Sequence, residues 1–134
     1  MTIFVDTSAL LAVSFAGDSY HENAQRVWSA LLAYPEELVC NNYTIVETVS
    51  LLQRRFGLSV VQYFLENIAP ALNVVWVDES LHHAALIAVL TANRRGLSLA
   101  DCASMETMRR LGIHRIFAFD PHFAELGFEI MGGL

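Results

Sequence analysis

Four acidic residues in this chain stand inside or directly after apolar segments, where a charged side chain is unexpected. A carboxylate in apolar surroundings costs free energy unless it is paired, hydrogen-bonded or bound to a cation. Clustered carboxylates also repel one another, and Mg²⁺ and Mn²⁺ prefer such oxygen ligands. The pattern therefore predicts one shared site that holds Mg²⁺ or Mn²⁺. Its candidate ligands are Asp6, Glu47, Asp101 and Asp120.

Helix capping is an alternative explanation for three of these acids. Asp6 directly precedes a predicted helix, and Asp120 precedes a proline of the kind that often begins one. Ser98 and Asp101 have the spacing of a capping box. Taken singly, each of the three is explained as well by a cap as by a ligand role.

Glu47 has no such alternative, because it lies well inside a predicted helix. Its neighbours are largely apolar, and other side chains already give that helix a polar side. These are Thr48, Ser50 and Gln53. Glu47 is therefore the acid that most favours a functional interpretation.

Short apolar runs alternate with amphipathic segments, which predicts strands alternating with helices. Such short, fully apolar strands are typical of a parallel sheet covered on both faces. We therefore expect a single domain over residues 1–134, a three-layer α/β/α sandwich with a short central parallel β-sheet. Strands are predicted at 2–5, 38–40, 73–77, 115–119 and 128–130, with a turn at 35–37. Helices are predicted at 7–16, 20–34, 59–69, 79–95 and 98–111, and from a cap at Asn41 or Asn42 to 56.

This topology predicts that the acids lie close together. The carboxyl ends of parallel strands share one edge of the sheet, and ligands bind at that edge. Asp6 and Asp120 each follow a predicted strand, and the helix carrying Glu47 begins just after another.

The charged residues limit how the chain can bind nucleic acid. With 14 acidic and 8 basic residues the net charge is −6, which argues against broad electrostatic capture but permits a local basic surface. Every basic residue is arginine, and six form pairs at predicted helix ends shortly before a glycine. Cations favour helix C-termini, and guanidinium groups bind phosphate, so both roles stay open. The pairs are 54–55, 94–95 and 109–110.

Several other residue types carry weaker expectations. No signal peptide or membrane span is evident, so we expect a cytoplasmic protein whose Cys40 and Cys102 are buried thiols. Trp28 and Trp76 are expected in the core, with base stacking as the alternative. Of the histidines, His122 is the candidate for contact with a substrate phosphate.

Four segments, in their order and spacing, resemble a known family. The chain resembles PIN domains over essentially its whole length, and is close to the VapC-type ribonuclease toxins of bacterial and archaeal toxin–antitoxin pairs. One departure is Ala118, which stands where the family often has a hydroxyl two residues before the last acid. The segments are Asp6-Thr7-Ser8-Ala9-Leu10, the helix with Glu47, Leu97-Ser98-Leu99-Ala100-Asp101 and Phe119-Asp120-Pro121-His122-Phe123.

The resemblance implies a ribonuclease whose four acids form a pocket for Mg²⁺ or Mn²⁺ and whose substrate is RNA. Thr7 or Ser8 would help to shape that pocket, and hydrolysis of the phosphodiester would be metal-assisted. The implied partners are a cognate antitoxin, held in a groove, and a second copy of the chain in a homodimer. The number of ions, the RNA and its cleavage site stay open.

Two other functions remain open on the sequence alone. One is a catalytically silent binding module with the same fold, which the acidic net charge and the lack of lysine would fit. The other is a different phosphate enzyme. That alternative is disfavoured because Ser8 stands where a haloacid-dehalogenase-type phosphatase needs its second acid, and because no lysine is present for a P-loop.

Overall fold

The computed structural model describes residues 1–34 and 37–132 as a parallel β-sheet with helices on both faces. The turn predicted at 35–37 therefore falls mostly outside the described residues. The strands are β1 (Thr2–Val5), β2 (Glu37–Asn41), β3 (Asn73–Val75), β4 (Arg115–Phe117) and β5 (Glu129–Met131). The α-helices are α1 (Thr7–Ser14), α2 (His21–Ala33), α3 (Asn42–Phe56), α4 (Leu58–Tyr63), α5 (Glu79–Ala92), α6 (Leu99–Leu111) and α7 (His122–Glu125). A π-helical turn (Phe64–Ile68) and a 3-10 turn (Ala69–Ala71) continue α4.

Alternate side chains of the central strands pack into two cores, one on each face of the sheet. The strand order is β3-β2-β1-β4-β5, and neighbouring strands are parallel. Ile3 and Val5 pack with α1, α2 and α4 on one face, whereas Phe4 packs with α5 and α6 on the other. This is the side-chain alternation of a strand that is buried on both sides. The predicted three-layer α/β/α architecture is confirmed.

Three helices begin at the edge of the sheet formed by the carboxyl ends of the strands. α1 and α3 directly follow β1 and β2, and α6 runs back towards the start of β4. Asp6 caps α1 and Asn41 caps α3, each by accepting a backbone hydrogen bond. Ser98 and Asp101 form the predicted capping box of α6. The caps predicted for these three helices are therefore present, and they fix the chain at this edge. The cap predicted at Asp120 is wrong, because α7 begins at His122 and its N-cap residue is Pro121.

Several further predictions about element ends and burial are wrong. Asn93 adopts a left-handed conformation (φ 50°) and ends α5 at Ala92, so the arginine pair 94–95 lies in the loop before α6. β3 ends at Val75 rather than at residue 77, and β4 ends at Phe117 rather than at residue 119. α1 ends at Ser14 rather than at residue 16. The side chain of Trp76 is 74% exposed and not in the core, because β3 is an edge strand.

Other burial predictions are confirmed. Trp28 is 3% exposed, and Cys40 and Cys102 are buried free thiols. The arginine pairs 54–55 and 109–110 occupy the last turns of α3 and α6. No helix in the described part of the chain combines the length and the apolar character needed to cross a membrane.

Candidate active site

Asp6 is a carboxylate at the end of β1 that is 7% exposed. Its backbone N–H donates to the carbonyl of Phe117 at 3.0 Å, and its Oδ2 accepts from the backbone N–H and the hydroxyl of Ser8 at 3.1 and 2.6 Å. Burial, with a smaller contribution from the charges of Asp101 and Glu47, raises the pKa of Asp6 from 3.8 to about 7 in spite of these hydrogen bonds. Ionisation of Asp6 therefore costs free energy in this fold.

Two helices bring further carboxylates into range of Asp6. Glu47, on α3, is half-buried. Its pKa is raised, mainly by burial and to a smaller extent by the charge of Asp101, while the side chain of Thr7 opposes the shift. Asp101 lies in the first turn of α6. Burial raises its pKa, the charge of Asp120 adds to this rise, and the hydrogen bonds with Ser98 oppose it. The acids thus form one electrostatically coupled group.

Asp120 lies in the loop between β4 and α7 and joins this group through Asp101. Its Oδ1 accepts a hydrogen bond from the backbone N–H of His122 at 3.0 Å and lies 2.9 Å from the Nδ1 of the same residue. The imidazole also packs on Gly96, where an added Cβ would lie 3.2 Å from the Cε1 atom. His122 therefore lies between the last acid and the loop that leads from α5 to α6.

Ser8 connects the first acid to the segment that carries the last one. Its hydroxyl donates to Asp6 at 2.6 Å and accepts from the backbone N–H of Phe119 at 2.9 Å. This second contact joins residues 111 positions apart and holds the loop before Asp120 against the end of β1. Ser8 thus supplies a hydroxyl in the region where Ala118 offers none.

A chain of buried polar groups beside the acids was missed by the sequence analysis. Thr48 donates to the hydroxyl of Thr7 at 3.3 Å, and Thr7 donates to the carbonyl of Thr44 at 3.4 Å. Asn41 accepts from the hydroxyl of Thr44 at 3.0 Å and donates to that of Thr107 at 3.2 Å. All five side chains are buried, so the placement of Thr48 on a polar outer side of α3 is wrong. Two threonines four residues apart, on one helix face, are the signal that could have revealed this chain.

The donor chemistry of the acid group fits a divalent cation. All four candidates offer carboxylate oxygens, and the charged groups that act on Asp6 and Glu47 are other acids. Within residues 1–34 and 37–132, however, no three His, Cys, Asp or Glu side chains are already arranged as a set of metal ligands. Binding an ion therefore requires carboxylates to turn away from their present hydrogen bonds, such as those to Ser8.

Residues 3–129 match the PIN-domain family. Together with the parallel sheet and the acids at its carboxyl edge, this match shows that the chain belongs to the PIN-domain family. Among characterised proteins it is similar to the 23S rRNA-specific endonuclease VapC20 of Mycobacterium tuberculosis, in the strains CDC 1551 / Oshkosh and ATCC 25618 / H37Rv. The two sequences are 33% identical over 127 residues, which cover 94% of this chain and 95% of the relative.

Solved structures agree with this assignment. The crystal structure of Mycobacterium tuberculosis VapC20, described as a Sarcin-Ricin loop cleaving toxin, matches with a TM-score of 0.86 at 31% identity, over 98% of this chain and 99% of that one. VapBC2 from Rickettsia felis, bound to a DNA fragment from their promoter, matches with a TM-score of 0.73 over 98% of each chain. At 6% identity this second likeness concerns the fold alone.

Proposed function

We propose that this protein is a Mg²⁺- or Mn²⁺-dependent endoribonuclease and the toxin of a toxin–antitoxin pair. The observation that carries the proposal is the convergence of Asp6, Glu47, Asp101 and Asp120 at the carboxyl edge of the sheet. Burial raises the pKa of the first three, and a bound cation would offset both their burial and their mutual repulsion. Similarity to a 23S rRNA-specific endonuclease supports RNA as the substrate class.

The four acids would have different roles at the metal site. Asp6, Glu47 and Asp101 would bind the principal ion, and Asp120 would complete the site. When bound, a divalent ion supplies the Lewis acidity that activates water and stabilises charge on the phosphate. The chain itself brings these side chains to one edge of the sheet, because Asp6 follows β1 and the helices α3 and α6 begin at that edge.

Smaller polar residues position this group. Ser8 holds Asp6 and the loop before the last acid together. The side chain of Thr7 lowers the pKa of Glu47, which favours its ionised form. His122, 27% exposed next to Asp120, is proposed to contact the substrate phosphate.

An arginine beside the acids offers a contact for the RNA backbone. Arg95 is exposed in the loop between α5 and α6, and the next residue, Gly96, lies against His122. Arg94 is already engaged, since its guanidinium lies 2.8 Å from the carboxylate of Glu125. Arg95 is therefore the member of this pair that we assign to phosphate binding.

The partners follow from the same proposal. The first RNA to test is a 23S rRNA fragment that contains the sarcin–ricin loop, as the relatives' names indicate. The toxin would act in the cytoplasm and be restrained there by a cognate antitoxin.

Ile87 and Leu90 on α5, 65% and 80% exposed, support a homodimer that covers them. A monomer at high concentration in light scattering would contradict the dimer.

Cleavage of RNA tests the proposal directly. Wild-type protein should cut the fragment with Mg²⁺ or Mn²⁺ and stop when EDTA is added. Asp6→Asn and Asp101→Asn should each lower the rate at least about tenfold, as loss of a metal-supporting group does. Asp78→Asn, the same change at the exposed cap of α5, is the matched control and should cut at the wild-type rate. Equal cleavage by wild type and both site variants would rule the proposal out.

A catalytically silent PIN-fold binding module is the second candidate. The observation that favours it is the lack, within the described ranges, of a ready-made set of metal ligands. Isothermal calorimetry with Mn²⁺ separates the two. Heat of binding that disappears in Asp6→Asn supports the nuclease, whereas no binding by wild type supports the silent module.

A further inference from the structure

A pocket of about 520 Å³ opens beside the acids, between the first turns of α3 and the start of α6. Its lining is mainly apolar, and it shares one residue with the acid group, Glu47. Space that is continuous with the proposed reaction site is therefore available to a part of the substrate that is not a phosphate. The lining residues are Asn42, Tyr43, Val46, Glu47, Leu99 and Ala100.

The walls of this pocket suit a flat, weakly polar group. The Tyr43 hydroxyl is hydrogen-bonded to Nδ1 of His82, which fixes the aromatic ring at one wall. Val46 is 65% exposed although it is apolar. Among the described residues, no cationic side chain lines the pocket, and Glu47 would repel an anion, so a phosphate is not the expected occupant.

An exposed tryptophan stands next to the pocket. Trp76 follows β3 at the same edge of the sheet, and its side chain is 74% exposed. The next residue, Val77, donates its backbone N–H to Oδ1 of Asn42 at 2.5 Å, and Asn42 lines the pocket. This hydrogen bond fixes the tryptophan segment against the pocket wall. Its indole ring offers a flat apolar face on which a nucleobase can stack.

We propose that this pocket and Trp76 bind the unpaired nucleobases that flank the phosphate held at the acids. The inference rests on the nuclease function proposed above and adds to it the site that recognises bases. Every nucleobase has an apolar face that stacks on aromatic side chains, and base edges find polar groups, here the side chain of Asn42. The site thus selects RNA in which these bases are unpaired.

Fluorescence and binding measurements with two RNA probes test this inference. The probes are a single-stranded adenine dodecamer and an abasic ribose-phosphate dodecamer that carries the same charge. All proteins carry Asp101→Asn, which keeps the RNA intact in the presence of Mg²⁺. The adenine probe should bind about tenfold more tightly than the abasic probe, as stacking of one or two bases predicts. It should also quench the fluorescence of a Trp28→Phe variant, in which Trp76 is the remaining tryptophan.

Two pocket variants and one control complete the experiment. Trp76→Ala removes the stacking surface, and Val46→Phe fills the pocket from an exposed position. Both should bring the affinities for the two probes to within about twofold of each other, because only base contacts are lost. Leu32→Phe, at a 53% exposed position on α2, should keep the tenfold preference.

Three results would overturn the inference. The first is equal affinity for the two probes before any pocket variant is made, and the second is a preference that both pocket variants retain. The third is self-association that shields Trp76 and that Trp76→Ala abolishes, since it assigns this surface to a second copy. Failure of wild-type protein to cleave any RNA would overturn the proposed function alone, because base preference is measured without cleavage.

Discussion

Replacing Asp6 with asparagine should stabilise the metal-free protein at neutral and higher pH. Asp6 is 7% exposed, and its pKa is raised from 3.8 to about 7 by burial and by neighbouring acids. Ionisation of this carboxyl therefore opposes folding, and an uncharged residue of the same shape removes the opposition. Asparagine also caps a helix as well as aspartate does, and its Oδ1 can accept the hydrogen bonds from Ser8.

The size and pH dependence of this effect follow from the two pKa values. Between about pH 4 and 7 the folded protein binds more protons at Asp6 than the unfolded protein does, so the stability of the wild type falls as the pH rises. At about pH 8 the carboxyl is ionised in both states, and the full difference is about 4 kcal/mol. Relaxation and water penetration reduce such penalties, so we expect a gain of about 2 to 4 kcal/mol. At about pH 5 the gain should be no more than about 1.5 kcal/mol.

Urea unfolding in EDTA measures this gain. The free energy of unfolding is compared between wild type and Asp6→Asn at pH 5 and pH 8. Asp78→Asn is the matched control, because Asp78 caps α5 with the same kind of hydrogen bond, yet is exposed, and should change stability little. A variant no more stable than wild type at pH 8, or equally stabilised at both pH values, would refute the reasoning.

Two further predictions concern neighbours of the acid group. Ser8→Ala leaves the backbone N–H of Phe119 without its acceptor and should lower the free energy of unfolding by about 1 to 3 kcal/mol, measured in urea; an unchanged value would show that the bridge is dispensable. Arg95→Ala should weaken binding of the RNA fragment. It should also reduce the slope of the logarithm of the binding constant against the logarithm of the salt concentration by about 1. Arg55→Ala, at the far end of α3, is the control and should change neither. Equal effects of the two arginine variants would contradict a specific role for Arg95.

Elements bounded by local signals were predictable from the sequence. The apolar run of β1 ends at an aspartate, and that residue both terminates the strand and caps α1. Ser98 and Asp101 likewise define the start of α6 through their spacing alone. Because these signals depend on contacts within a few residues, one sequence contains all the information that they require.

Features that depend on distant parts of the chain were not predictable in this way. The strand-like run at residues 73–77 predicts a buried Trp76. In the structure this residue lies just beyond β3, an edge strand, and no local sequence pattern specifies the order of strands in a sheet. α5 was expected to continue to a glycine, yet Asn93 takes up the left-handed turn earlier. Thr48 is polar by type but buried, because Thr7, 41 residues away, supplies its hydrogen bond.

The candidate site also combines features that local sequence signals predict with features that depend on distant parts of the chain. The four acids could be chosen from their apolar settings, and their meeting at one edge follows from a parallel topology. What the sequence could not show is how they are supported. The bridge from Ser8 to Phe119 and the buried chain through Asn41 both join elements far apart in sequence.

The contact between Ser8 and Phe119 also ties the acid group to the order in which the chain is synthesised. A nascent chain emerges with its N-terminus first and can fold only from what has emerged. Asp6 directly follows β1, whereas Asp120 follows β4, which must pair with β1 before the two acids can meet. A ribosome that is translating this protein therefore carries an incomplete set of acids until residue 120 has been added and β4 has paired with β1.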